Sequence, residues 1–274
     1  GLSSSTFCAG GKIRGWTDTT DDSHWRRLLT FQERNEILSK ILIGKESAAM
    51  GKQYLLFDLD GTLTDPKEGI TRSVQYALRS FGIEVENLDD LIPFIGPPLR
   101  DSFMEFYGFT ADQAGEGIRK YREYFNEKGW KENKVYPGIP QMLKNLQAAG
   151  YELITATSKP EVFAVRIMKH FGLDGYFQMI GGADLDETRV KKADVIRYVM
   201  DREGIGEKDH ALMIGDRKHD VLGAREAGLE CAAVLFGYGS REELESAKAC
   251  YLAESVEDLE RYLLERLGRE GGGI

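Results

Sequence analysis

Cysteine is scarce in this chain, and the three present, Cys8, Cys231 and Cys250, are widely separated. An odd, unclustered set builds neither a disulfide framework nor a zinc site. Histidine offers little more. His24, His170 and His210 stand outside any constellation, and His219 reads as a solvated helix residue. A histidine-based triad and a transition-metal cluster are thereby set aside. No apolar run reaches the length of a bilayer span, and no basic-then-apolar leader precedes a small-residue cleavage site, so a cytoplasmic location is expected. Basic stripes are missing as well, and the net charge is -9. That balance argues against a nucleic-acid polymer as partner. Small anionic substrates stay open, because a local metal or lysine reverses the field of a site.

What is present is an ordinary globular composition, 42% hydrophobic and 30% charged over 274 residues. That length supports one large domain and a smaller one. Residues 1–49 differ from the rest and read as a loosely ordered extension, with Met50 placed where a natural start would fit. The other reading is an amphipathic helix over Trp25 to Ile43, docked through Leu28, Phe31, Ile37, Leu38, Ile41 and Leu42. After Met50, strand-like runs (Tyr54–Phe57, Tyr151–Ala156, Tyr176–Ile180, Ala211–Ile214, Cys231–Leu235, Ala249–Leu252) alternate with helical patterns (Ile139–Ala149, Val162–Phe171, Val190–Arg202, Val221–Ala227, Val256–Leu267). Such alternation predicts an α/β fold: a parallel sheet with helices on both faces and ligands at the strands' carboxyl ends. One interval breaks the rhythm. About 90 residues follow Asp60 before the next clear strand, where a crossover needs about 30. Helical patterns over Ile70–Phe81, Leu99–Tyr107 and Ala111–Lys128 fill it. The expected organisation is a core of 50–65 and 137–268, an inserted all-helical cap of 66–136 lying over the site, and a tail of 269–274.

Four segments carry candidate chemistry. In Phe57-Asp58-Leu59-Asp60-Gly61-Thr62 an apolar strand delivers two carboxylates to the same side of its end. Burying like charges is costly without a cation or donor. A calcium loop fails for want of downstream ligands. One carboxylate can serve as nucleophile and metal ligand, the other as general acid/base, and Gly61 lets the backbone turn closely with its amide toward an anion. In Thr157-Ser158-Lys159-Pro160-Glu161, Ser158 and Glu161 have capping-box spacing, so a helix is expected where the strand stops, either simply capped or accepting phosphate at its free amides. In Arg189-Val190-Lys191-Lys192, helix phase puts Lys192 on the arc of Val195, Ile196 and Val199, with Lys191 about 100° away. In Gly215-Asp216-Arg217-Lys218-His219-Asp220 a second strand ends on a carboxylate, with another four residues later, a donor set suited to Mg²⁺. Within the insertion, Phe94-Ile95-Gly96-Pro97-Pro98-Leu99-Arg100 is a stiff turn into a helix; it either simply starts that helix or presents Arg100 to a second anionic group.

Asp58-x-Asp60-Gly61-Thr62, Thr157-Ser158-Lys159, Lys192 and Gly215-Asp216-x-x-x-Asp220 together resemble the four motifs of the haloacid dehalogenase superfamily. The likeness is closest to its phosphatases of phosphoglycolate phosphatase and 5′-nucleotidase-like type, and covers about Gly51 to Leu267. It implies a Rossmann-like core with a helical cap inserted after the first strand, and phosphoryl transfer through an aspartyl-phosphate on a small phosphorylated metabolite. Asp58 would attack phosphorus and Asp60 would serve as acid, then base. Thr157 and Lys192, assisted by amides near Asp60 and Ser158, would hold the phosphoryl oxygens. Mg²⁺ would bind Asp58, Asp216 and the carbonyl of Asp60, with Asp220 behind them. The acid/base at Asp60 favours phosphate esters over haloacids. The opening Asp65-Pro66-Lys67-Glu68-Gly69-Ile70 leans toward the nucleotidase-like branch. A phosphomutase and a non-catalytic phosphate-binding module remain the alternatives.

Overall fold

A computed structural model describes residues 52–186, 188–206 and 210–270. The amino-terminal extension, including the helix expected over Trp25 to Ile43, lies outside the described residues. Six parallel strands form the central sheet: β1 (Gln53–Phe57), β4 (Glu152–Pro160), β5 (Met179–Ala183), β6 (His210–Gly215), β7 (Glu230–Val234) and β8 (Tyr251–Ala253). Their spatial order is β5-β4-β1-β6-β7-β8. β1 is central and wholly buried, as expected for a strand covered on both faces.

Alternation along β1 divides the interior into two layers. Leu55 and Phe57 join the layer containing α4 (Ile139–Ala149), α5 (Glu161–His170) and α9 (Val256–Glu270). Tyr54 and Leu56 join the opposite layer, with α6 (Lys192–Glu203), α7 (Lys218–Glu226) and α8 (Arg241–Ala247). The period-2 side-chain direction of a strand and the 3.6-residue period of the helices thus agree. The α/β parallel fold expected from the sequence is present.

The interval after Asp60 is helical. β2 (Thr64–Asp65) and β3 (Lys134–Val135) pair antiparallel, so the chain leaves and returns through one short ribbon. Between them lie α1 (Lys67–Arg79), a 3-10 turn (Leu88–Phe94), α2 (Leu99–Tyr107), α3 (Ala111–Tyr124) and a π turn (Phe125–Gly129). α1 turns Ile70, Val74, Ala77 and Leu78 inward, one stripe of an amphipathic helix. α2 stops at Gly108, whose φ of 64° is the left-handed C-terminal cap. α3 starts at Thr110 with a reciprocal Thr110/Gln113 capping box.

Several boundaries differ from expectation. The fifth strand lies at Met179–Ala183 rather than Tyr176–Ile180, although two glycines weaken its strand signal. Gly181 is required there, because a Cβ would stand 2.2 Å from Val199 Cγ1. α7 begins three residues earlier than expected, at Lys218, and α9 runs to Glu270, past the expected start of the tail. α8 was not anticipated. Among the described residues, no helix is long and apolar enough to cross a membrane.

Candidate active site

The four candidate segments converge at the carboxyl edge of the sheet. Asp58 and Asp60 follow β1, Thr157 lies near the end of β4, Lys192 opens α6, and Asp216 follows β6. Asp58, Asp60, Thr157, Lys192, Asp216 and Asp220 are all buried. Carboxylate oxygens of Asp58, Asp216 and Asp220 lie within 4.8 Å of one another. Lys192, expected to face inward, does so: Nζ is 2.9 Å from Asp58 Oδ1 and 2.8 Å from Asp220 Oδ1. It also donates to the Ala156 carbonyl at 3.0 Å. Burial alone would lower its pKa, but the Asp220 and Asp58 carboxylates outweigh that and raise it, so the ammonium stays charged.

Among the described residues Asp216 forms no ion pair, although the charge of Arg217 lowers its pKa somewhat. It accepts from the Tyr238 N–H at 2.8 Å and more weakly from Thr62 Oγ1 at 3.4 Å. Burial first, then Asp220 and Asp58, push its carboxyl well above the usual range. The backbone is cut away to admit it. A Cβ on Gly61, at φ 85°, would stand 2.1 Å from Asp216 Oδ2, and one on Gly237 would stand 2.4 Å from Asp216 Cβ. Asp220 is held from behind. Its Oδ2 accepts the N–H groups of Asp216 at 3.2 Å and Arg217 at 3.0 Å, leaving Oδ1 for Lys192.

Three buried carboxylates against one ammonium leave an excess of negative charge. Hard oxygen donors at this separation suit a divalent cation such as Mg²⁺. The residues therefore fit the metal that the sequence implied.

Asp60 is kept apart from this cluster. Lys159 Nζ lies 2.5 Å from Asp60 Oδ2 and 4.7 Å from the Phe125 ring centre. Asp60 Oδ1 is buried without a hydrogen-bond partner. Burial raises its pKa, with Lys159 opposing, the direction a proton donor needs. The residues adjacent to Lys159 assign it no role. Its partner is 99 residues away, and no local pattern signals that.

Three local expectations need correction. Ser158 and Glu161 do not form a capping box: β4 continues through Pro160, which pairs with Ala183, and α5 starts at Glu161 without a side-chain cap. The Thr157 hydroxyl instead accepts the Lys159 N–H at 3.2 Å. The Gly61 amide donates to the Thr64 carbonyl at 2.7 Å rather than facing an anion; its contribution is the space for Asp216. His219, expected to be solvated, is half-buried, and that burial lowers its pKa.

A cavity of about 210 Å³ adjoins the site. Asp58, Asp60, Thr157, Ser158 and Lys159 line one side, and the inserted helices supply Ile70, Phe94, Ile118, Tyr121 and Phe125 opposite. Arg100 lines it too, half-buried, with Nη1 donating to the Ala111 carbonyl at 3.0 Å. Arg122 closes a further edge by donating to the Leu185 carbonyl at 3.3 Å.

This arrangement defines a class. Residues 55–234 match the family model described as haloacid dehalogenase-like hydrolase, and the chain belongs to that family. Among its relatives, a 5′-nucleotidase from Pseudomonas aeruginosa is 47% identical over 216 residues, covering 79% of this chain and 97% of that protein. The tyrosine-protein kinase PtkA of Mycobacterium tuberculosis is 35% identical over 214 residues, covering 77% of this chain and 72% of the kinase. The crystal structure of a predicted phosphatase from Clostridium acetobutylicum superposes with a TM-score of 0.76 at 50% identity, covering 78% of this chain and 99% of that one.

Proposed function

We propose that the chain is a Mg²⁺-dependent phosphomonoesterase that works through a phosphorylated Asp58 on a small phosphorylated metabolite. The observation that carries this reading is the meeting of Asp58, Lys192, Asp216 and Asp220 around one point, with Asp60 beside them but separately paired. Phosphoryl transfer asks for in-line positioning and for opposite charge at the equatorial oxygens, and little else. An Asp58 oxygen attacks phosphorus while Asp60 gives its proton to the leaving oxygen. Asp60 then takes a proton from the water that attacks the aspartyl-phosphate, releasing phosphate and restoring Asp58. Lys192 and the Thr157 hydroxyl hold phosphoryl oxygens, with Ser158 beside them. Asp58, Asp216 and the Asp60 carbonyl would hold Mg²⁺, which when bound would neutralise charge on the transferring group.

Residues 66–136 act in this reading as a cap that supplies the leaving-group side of the cavity. Phe94, Tyr121 and Phe125 there suit a planar, partly apolar group better than the small carboxylate of phosphoglycolate. The 47% identity to a 5′-nucleotidase supports the same choice. A nucleoside 5′-monophosphate is therefore the favoured substrate, with Arg100 lining the cavity that would receive it.

The test is a panel of nucleoside monophosphates, sugar phosphates and phosphoglycolate, assayed with Mg²⁺ and with EDTA, on the native enzyme and Asp58→Asn. Phosphate release that needs the metal and disappears in the variant is expected. Undiminished release by a folded Asp58→Asn protein would rule out the nucleophile. Phosphorus NMR showing phosphate moved within the substrate, not freed, would replace hydrolysis with a mutase reaction.

A further inference from the structure

The turn Ile95-Gly96-Pro97-Pro98 leads into α2, and Gly96 through Asp101 line the cavity. Its position is not set by the inserted helices alone. Arg217, the neighbour of Asp216, reaches across from the sheet's edge and donates from Nη1 to the Ile95 carbonyl at 2.6 Å. The same guanidinium is forked onto Glu243, from Nε to Oε1 at 2.9 Å and from Nη2 to Oε2 at 3.4 Å. Glu243 is itself fixed, because Oε1 also accepts the Lys218 N–H at 2.8 Å. The planar fork of arginine makes this a directional link rather than a diffuse attraction.

The turn is shaped to receive it. Gly96 has φ 105°, which L side chains rarely adopt, and a Cβ there would stand 2.9 Å from Arg217 Cγ. The Arg217 and Glu243 side chains are only 13% and 21% exposed, so solvent screens the pair weakly. Burial would raise the Glu243 carboxyl, but the hydrogen bonds from Arg217 and Lys218 outweigh it and hold it below the usual range.

We propose that Arg217, braced by Glu243, is a positioning residue that fixes the Gly96–Arg100 turn over the cavity and so sets which leaving groups the enzyme accepts. The proposal rests on the phosphomonoesterase reading above. Adjacent residues, Asp216 and Arg217, connect the carboxylate cluster to the opposite wall. One short link therefore sets the distance between the place where phosphorus binds and the surface that meets the leaving group. A substrate that spans this distance depends on the link. A substrate confined to the phosphoryl end does not.

The experiment compares AMP with acetyl phosphate, whose leaving group is only acetate, on the native enzyme, Glu243→Gln, Arg217→Lys and Arg217→Gln. Kinetics and the Mg²⁺ activation constant are measured for each. Losing a charge-assisted hydrogen bond predicts KM for AMP raised by about tenfold in Glu243→Gln and Arg217→Gln, with kcat/KM for acetyl phosphate and the Mg²⁺ constant held within about twofold. Arg217→Lys, which keeps charge but cannot fork, should fall between the native enzyme and Arg217→Gln. Equal losses on both substrates, or a raised Mg²⁺ requirement, would mean that the pair merely supports the metal-side turn, and would overturn the proposal. A native enzyme that hydrolyses neither substrate defeats the phosphatase reading instead. Turnover of acetyl phosphate alone removes both the nucleotide assignment and this inference.

Discussion

Neutralising Asp216 should stabilise the metal-free protein while abolishing its response to Mg²⁺. The carboxylate is fully buried and lies within 4.8 Å of two others, with no ion-pair partner among the described residues. At that separation, two unit charges repel by about 3.5 kcal/mol at an effective dielectric of about 20. Lys192 offsets part of this, and protonation relieves more, since burial and the neighbouring carboxylates raise the Asp216 pKa. A net gain of about 1–4 kcal/mol is therefore expected for Asp216→Asn at pH 8, where the native group is most ionised. The amide oxygen of Asn can still accept the Tyr238 N–H, so the substitution leaves that donor satisfied. For a domain of this size the gain corresponds to a Tm increase of about 2–16 °C in EDTA.

Thermal unfolding of both proteins, with EDTA and with Mg²⁺, reads the effect directly. The native protein should gain Tm with Mg²⁺, and Asp216→Asn should not. The pH dependence has a defined sign. A carboxyl whose pKa is raised on folding binds more protons in the native state, so metal-free stability falls as pH rises from the unfolded carboxylate range through the raised value. The native Tm in EDTA should drop over that range, and the Mg²⁺ increment should grow. A variant less stable than the native protein in EDTA, yet still stabilised by Mg²⁺, would refute the idea that Asp216 is a repelled metal ligand.

Other perturbations have equally specific outcomes. Lys192→Met leaves Asp58 and Asp220 without their shared ammonium and should cost about 3–5 kcal/mol, read as a lower urea midpoint, together with loss of phosphatase activity. Gly61→Ala places a Cβ 2.1 Å from Asp216 Oδ2, at a backbone φ of 85°. Weaker Mg²⁺ binding by calorimetry should result, with retained far-UV circular dichroism.

Much of the site is readable in one dimension because its parts sit where regular structure ends. Asp58 and Asp216 each terminate an apolar run, and Lys192 occupies a position that helix phase alone turns inward. Local signals failed where a distant partner prevailed. The Ser158/Glu161 spacing looks like a helix cap, but pairing of Pro160 with Ala183 extends the strand past it. Gly181 and Gly182 disguise a strand because α6 and the β4–α5 connection press too closely for side chains. Lys159 on Asp60 and Arg217 on Ile95 join segments 99 and 122 residues apart. Such contacts arise only once the sheet and the inserted helices are assembled.

The most direct test is to quench the enzyme in acid during turnover of AMP carrying ³²P in its phosphate, and to locate the label by peptide mass spectrometry. The account predicts acid-stable, hydroxylamine-labile label on the peptide containing Asp58, absent in Asp58→Asn. Turnover with label on any other residue, or none even when the second step is slowed, would contradict it.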